Sequence, residues 1–334
     1  MQRTAELEAT QWHATRPRRA EGVRGVAGTL AVCVVGAAVL ASWLPLQVSI
    51  VTVFLFAGPH NWFEFRYFLM RLPVRFGRSR NFFTVAFAGL ATLTASYVSL
   101  PLLYRAVPAS SETWLITLAT WNTLLLAWLA MLIHLRRKQK RTANWSWTTP
   151  LLLALGALNW IGPEFFSLAI VYVHPLVALW FLDRHLKRTR PAWLTAYRRC
   201  LCLLPVIVAL MIWRLSQTAP LNDDNGLFWR ITQHSGAALL PQVSSHVLVA
   251  VHLFLEMLHY GVWIIALPLL GPRFWNFETK QGRFPRTALL VVGVVLVFVL
   301  WVGFAADYAA TRDLYFTIAI AHVLAEAPFL LKTL

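Results

Sequence analysis

The run from Ser244 to Leu270 is apolar and long enough to cross a lipid bilayer, yet it contains side chains suited to metal or acid–base chemistry. His252, Glu256 and His259 stand at positions i, i+4 and i+7 of this run. On a helix that turns about 100° per residue, the three side chains lie on one face. An ionisable group at membrane depth needs a partner inside the protein, so this polar stripe indicates a functional site.

Two other apolar runs carry the same combination of histidine and glutamate. His60 precedes Glu64 by four positions and His322 precedes Glu326 by four, so each pair shares one face of a helix. His174 lies in a further apolar run. Because buried ionisable groups need partners, we expect these side chains to meet the polar stripe in the folded protein.

Imidazole and carboxylate groups together favour iron, manganese or zinc as a bound ion. Glu256 and His259 stand three positions apart, which is the spacing that carboxylate-bridged di-metal helix bundles use. We therefore predict a metal site within the membrane. The candidate metal ligands are His60, His174, His252, His259, His322, Glu256 and Glu326, and the candidate catalytic carboxylates are Glu256 and Glu64.

The same residues have a simpler interpretation as structural groups. Each histidine would then hydrogen-bond to a glutamate or a backbone carbonyl and join neighbouring helices. That interpretation suits a single histidine, whereas four histidines at one depth with glutamates nearby favour a ligand cluster.

The elements that must position these groups are transmembrane helices. Of the 334 residues, 58% are hydrophobic and only 13% are charged, and the mean hydropathy is +0.59, values outside the range of soluble globular proteins. We predict an all-α fold, a polytopic transmembrane helix bundle of about ten spans with both termini cytoplasmic. The spans are 26–44, 46–71, 82–106, 113–135, 146–161, 163–182, 197–216, 245–270, 287–306 and 313–332.

Basic residues give the predicted orientation. On one side of the membrane, the predicted loops and termini hold 25 of the 30 Lys and Arg residues, which places that side in the cytoplasm. The second, sixth, eighth and tenth spans then run from the outside inward, and their histidines fall near mid-membrane. We expect a multi-pass protein of a bacterial-type inner (plasma) membrane.

The predicted domain organisation is simple. Residues 1–25 form a cytoplasmic basic tail, and residues 26–334 form a single transmembrane helical domain, in which 146–182 either spans twice or is re-entrant. The net charge of +16 comes from short loops rather than from a soluble basic patch, so we expect no nucleic-acid partner. The expected partners are the lipid bilayer and a lipophilic small-molecule substrate, and the sequence leaves the oligomeric state open.

Three features resemble the Brp/Blh family of membrane β-carotene oxygenases. They are Pro59-His60 near the middle of an early helix, His252 with His259 on one later helix, and His322 followed by a glutamate on the last helix. The resemblance implies a helical membrane fold in which a histidine cluster holds one ferrous ion that cleaves β-carotene to retinal.

The leading hypothesis is an integral membrane metalloprotein that acts as a non-haem iron oxygenase, such as a dioxygenase, or as an oxidase. Its substrate would be a polyene, a quinone or a lipid that reaches the site through the bilayer. Two alternatives use the same His and Glu residues: a bis-His haem protein that carries electrons, and a proton-coupled transporter.

Overall fold

The computed structural model describes residues 28–72, 77–106, 111–140, 144–270 and 286–334. These residues are helical with short connections, and none of them forms a strand. A helix occupies each of the ten apolar runs, and seven of these helices are long and apolar enough to cross a membrane. The chain is therefore a multi-pass membrane protein. The count of ten spans and the cytoplasmic termini stay predictions, and the predicted tail 1–25 lies outside the described residues.

The helices are labelled here in chain order. A 3₁₀ turn at Gly77–Ser79 precedes α3, and a π-helix at Gly261–Ala266 joins α9 to α10. The α-helices are α1 Gly28–Trp43, α2 Pro45–Arg71, α3 Arg80–Ala106, α4 Ser111–Gln139, α5 Thr148–Ile161, α6 Pro163–Thr189, α7 Pro191–Leu215, α8 Gly226–His234, α9 Ser245–Tyr260, α10 Leu267–Leu270, α11 Arg286–Ala306 and α12 Tyr308–Thr333.

Helix α9 is the most enclosed element, because 12 of its 16 residues are buried. It packs against α2, α6, α7 and α8. Helix α12 in turn packs against α2 and α6, so α2 and α6 each contact both α9 and α12. These four helices form the group that positions the predicted site.

The four helices run in the same direction, as two layers of side chains show. His60, His174, His259 and His322 contact one another at one level. An aromatic layer lies beyond them toward the C-terminal end of every one of these helices. Its members are Tyr67, Phe68, Phe181, Trp263 and Phe329, with Phe68 stacked on Phe329 at 4.4 Å between ring centroids.

Close helix approach depends on small residues at two contacts. A Cβ on Gly293 of α11 would lie 2.3 Å from the indole of Trp62 on α2, and one on Gly89 of α3 would lie 2.0 Å from the indole of Trp128 on α4. Neither distance is compatible with a side chain. Glycine therefore lets α11 approach the Trp62 face of α2, which is nearly opposite His60, and it lets α4 approach α3.

Candidate metal centre

Four histidines from four different helices meet at the centre of the bundle. The ring centroids of His60 lie 5.3 Å from those of His259 and of His322. The centroid of His174 lies 4.6 Å from that of His259 and 4.9 Å from that of His322. The histidines expected to share one depth are therefore in contact.

Hydrogen bonds fix the tautomers of two of these rings. Nδ1 of His60 lies 3.0 Å from the carbonyl oxygen of Phe56, one turn earlier in α2. A carbonyl can only accept, so Nδ1 carries the proton and Nε2 keeps its lone pair. Nδ1 of His174 donates in the same way to Oε2 of Glu326 at 2.9 Å. In metal-binding histidines, one ring nitrogen typically donates to such a partner and the other binds the metal.

The spacing of two ring nitrogens suits a shared ion. Nε2 of His174 lies 3.1 Å from Nε2 of His322. With metal–nitrogen bonds of about 2.1 Å, two ligand nitrogens lie about 3.0 Å apart at a right angle and about 3.4 Å apart at the tetrahedral angle. The observed distance falls between these values.

The cluster also contains two buried carboxylates whose oxygens are not all hydrogen-bonded in the described structure. Glu64 is fully buried, and neither of its oxygens has a hydrogen-bond partner among the described residues; the same is true of Oε1 of Glu326. The two carboxylates are close enough to repel each other. Buried charges without partners are costly, and a divalent cation would balance both.

Distances define two overlapping sets of ligand atoms. One atom from each of His60, Glu64, His259 and His322 lies within 4.8 Å of the others, and the same holds for His174, His259 and Glu326. Neither nitrogen of His259 makes a hydrogen bond of normal geometry within the described residues, although the carbonyl of Pro175 interacts with its ring. We call these six residues the four-histidine cluster. The two sets could each bind one ion, or, because they share His259, both could bind the same ion.

Local sequence features shape the helices at the cluster. Interior prolines lie beside the site residues of three helices: Pro59 in α2, Pro175 in α6 and Pro328 in α12. Each removes one backbone hydrogen bond. In the fourth helix, the π-helical turn begins directly after Tyr260, whereas the apolar pattern predicted an uninterrupted α-helix. π-Helical turns occur frequently at functional sites.

Two of the candidate ligands lie outside both sets of ligand atoms. His252 lies about two turns before His259, with its ring centroid 5.6 Å from that of Tyr172 and 5.2 Å from that of His234. Glu256 accepts a hydrogen bond of 3.0 Å from the hydroxyl of Tyr260. The structure thus brings together His60, His174, His259, His322, Glu64 and Glu326, and it places His252 and Glu256 in a neighbouring polar region.

A cavity of about 130 Å³ connects the two regions. The four histidines line one end, and His234 and His252, which are 5.2 Å apart between ring centroids, line the other. Glu256, Tyr260 and Tyr315 also line the cavity, and the ring centroid of Tyr260 lies 4.4 Å from that of His60. Apolar side chains complete the lining, including Ile170, Val171, Phe316, Ile320 and Val323. The cluster is therefore accessible to a small molecule held inside the protein.

Several residues of the cavity were not identified from the sequence. Tyr260 lies four positions after Glu256, so its place on the same helix face is visible in the sequence. Tyr315 and His234 carry no such signal, because they approach from other elements. His234 ends α8 and is partly exposed. Desolvation, together with His252 and Arg312 nearby, holds the pKa of His234 well below its usual value, which keeps the ring neutral.

Comparison with protein families, with curated proteins and with solved structures finds no match. The resemblance to the Brp/Blh family therefore stays a prediction, based on the residues given above. The geometry of the cluster and the cavity is the basis for a functional assignment.

Proposed function

We propose that this protein is a membrane metalloenzyme that binds non-haem iron at the four-histidine cluster and acts as an oxygenase or oxidase on a lipophilic substrate. The observation that supports it is the convergence of four imidazoles and two buried carboxylates from α2, α6, α9 and α12, with both oxygens of Glu64 and one of Glu326 lacking hydrogen-bond partners among the described residues. Nitrogen and oxygen donors of this kind suit iron, which would supply one-electron chemistry and reactivity toward dioxygen.

The protein residues have distinct parts in this proposal. The Phe56 carbonyl and Glu326 orient the rings of His60 and His174, so that their Nε2 atoms face the ion. The aromatic layer closes the site toward the C-terminal ends of the four helices. The cavity leaves the opposite side open to a small reactant.

Haem fits this arrangement less well than a bare ion. A porphyrin between two axial histidines needs space for its whole plane, but His174 and His322 are separated by only 3.1 Å between their Nε2 atoms.

The direct test is the metal content of protein purified in mild detergent, measured by mass spectrometry together with its visible spectrum. We expect about one or two iron ions per chain and no Soret band. Replacement of His60, His259 or His322 by Ala should remove most of the iron while the protein still inserts into the membrane.

His246→Ala is the matched control for this test. His246 lies on α9 like His259, but its Nε2 is hydrogen-bonded to the Ser42 carbonyl at 2.8 Å, outside the cluster. This variant should keep the full iron content. If the triple variant of His60, His259 and His322 also kept it, the cluster would be a structural hydrogen-bond network. Zinc as the only bound metal would exclude the oxygenase function, because zinc has no redox chemistry.

A further inference from the structure

The size of the cavity limits which lipophilic molecules can react at the cluster, and this inference rests on the proposed function. An apolar cavity of about 150 Å³ inside a protein can hold one benzene ring. The cavity beside the four-histidine cluster measures about 130 Å³. It therefore has room for a single ring.

One wall of the cavity carries hydrogen-bonding groups, and it includes Tyr260, whose ring centroid lies 4.4 Å from that of His60. Asn61 donates to the Tyr315 hydroxyl at 3.4 Å, and the Tyr260 hydroxyl donates to Glu256 at 3.0 Å. Glu256 is only 7% exposed and still lines the cavity. One end of a bound ring would thus meet an ordered carboxylate.

Two histidines at the end of the cavity opposite the cluster have ring nitrogens without hydrogen-bond partners among the described residues. His234 and His252 line the cavity, and neither ring makes a hydrogen bond with another residue in the described part of the chain. A neutral imidazole offers one donor and one acceptor. A ligand with an oxygen at this end would satisfy groups that the protein leaves without partners.

The two ends of the cavity are separated by a distance that suits a ring. His252 and His259 are seven residues apart on α9, which corresponds to about 10.5 Å along a helix. The rest of the lining is mainly apolar, including Ile170, Phe316 and Ile320. They can pack against the faces of a ring but offer no partner for a charged ligand.

We propose that this cavity binds the ring of a lipid-soluble quinol or quinone. A quinol hydroxyl donates to Glu256, a quinone oxygen accepts from the His252 ring, and the ring lies next to the four-histidine cluster. The reaction class is then quinol oxidation with dioxygen as the acceptor. Two quinols and one dioxygen give two quinones and two waters, so that four electrons and four protons are balanced.

The experiment is calorimetric titration of the purified, detergent-solubilised protein with a benzoquinone that carries a short isoprenoid tail. We expect saturable binding of one quinone per chain. His252→Ala should weaken the binding about tenfold, the size expected for one lost hydrogen bond to a charged or buried group. Glu256→Gln should weaken to a similar extent the binding of the corresponding quinol, measured without oxygen, because the quinol hydroxyl donates to the carboxylate. Neither substitution should change the iron content.

Two further variants keep the test decisive. Ala319 lines the cavity, so Ala319→Phe should fill it and abolish quinone binding while iron is retained. Glu64 does not line the cavity, so Glu64→Gln should lose iron and still bind the quinone.

The outcomes separate this inference from the proposed function. Iron-loaded wild-type protein without saturable quinone binding, or with binding that Ala319→Phe leaves unchanged, would overturn the quinone site and leave the metal site standing. Saturable binding of β-carotene in place of the quinone would also overturn it. Quinone binding by wild-type protein that holds no iron would refute the metalloenzyme and retain the quinone site.

Discussion

Glu64 is the residue whose position is hardest to explain without a cation. It is fully buried in α2, and its oxygens have no hydrogen-bond partner among the described residues. An unsatisfied buried polar group costs about 1–3 kcal/mol, and more if it is charged. A carboxylate that is retained at this cost is expected to bind something that stabilises the protein more than the burial destabilises it.

The effect of Glu64→Gln should therefore change sign with metal. In the presence of a chelator, the variant should unfold at a temperature equal to or higher than that of the wild type, because it lacks the buried charge. With iron present, the wild type should be the more stable protein, because ligand binding to the native state raises its stability. Thermal unfolding in detergent, with and without chelator, measures both differences.

Glu112→Gln provides the control for this comparison. Glu112 is exposed in the first turn of α4, so its replacement should shift the unfolding temperature equally in both conditions. An equal shift for Glu64→Gln would mean that Glu64 binds no metal.

At the level of single residues, the sequence predicted which histidines lie together better than it predicted the groups around them. Helical periodicity and depth placed His60, His174, His259 and His322 together, because both quantities follow from one helix at a time. His252 and Glu256 share a helix face with His259 but lie about two turns and one turn before it, so they line the cavity beside the cluster. Tautomers and the hydrogen bonds of Tyr315 depend on other helices, so no local pattern could predict them.

Helices α4, α5 and α6 are joined by two buried asparagines. Nδ2 of Asn122 donates to Oδ1 of Asn159 at 2.8 Å and lies 3.2 Å from the Pro163 carbonyl. Nδ2 of Asn159 donates to the Ala119 carbonyl at 2.9 Å. This network holds the short helix α5 and the start of α6 against α4, and α6 carries His174.

Removing one asparagine should destabilise the protein by about 1 kcal/mol, between the average of about 0.6 kcal/mol for interhelical hydrogen bonds in membranes and the roughly 1–3 kcal/mol of an unsatisfied buried group. Unfolding of Asn122→Leu, Asn159→Leu and the double variant in detergent measures this effect. The double variant should lose less than the sum of the single losses, since no unpaired partner remains. Thr120→Ala on the exposed side of α4 is the control. Strictly additive losses would show that the two side chains are not coupled.

At the level of elements, apolar length predicted the helices of the ten apolar runs, but it predicted neither α8, which lies in a stretch expected to be a loop, nor how the helices pack. Each of the ten apolar runs coincides with a helix because a backbone in lipid must satisfy its own hydrogen bonds. Asn122 and Asn159 each stand nearly alone in an apolar run, so the sequence shows neither as the partner of the other. Helix α2 is 27 residues long, but its polar residues keep it out of the seven helices with clear membrane-spanning composition.

The arrangement of the whole molecule is consistent with the predicted topology. Helices α2, α6, α9 and α12 are the second, sixth, eighth and tenth predicted spans, which that topology directs the same way. Their common direction in the structure agrees with this requirement. It leaves undecided which side of the membrane is cytoplasmic, because that choice depends on basic residues rather than on packing.

The orientation also decides which side of the membrane the polar end of the cavity, lined by His234 and His252, faces. Helix α8 packs on α9 and α2, and it contributes His234 to that end. It lies in the connection between α7 and α9, which the distribution of Lys and Arg places outside the cell. We therefore predict that the polar end of the cavity faces the external side.

Reporter fusions along the chain test this orientation. The segments rich in Lys and Arg should stay in the cytoplasm, because their transfer across the membrane is disfavoured. A fusion within the loop before α8 is the most informative, since it reports directly on the side that covers the cavity. If Asn225 were cytoplasmic, α9 and α12 would be inverted, and the quinone ring would meet His234 and His252 from the inside. Fusions after Arg80, Arg141, Arg190 and Arg286 should read cytoplasmic, and fusions near Ser110 and Asn225 should read external.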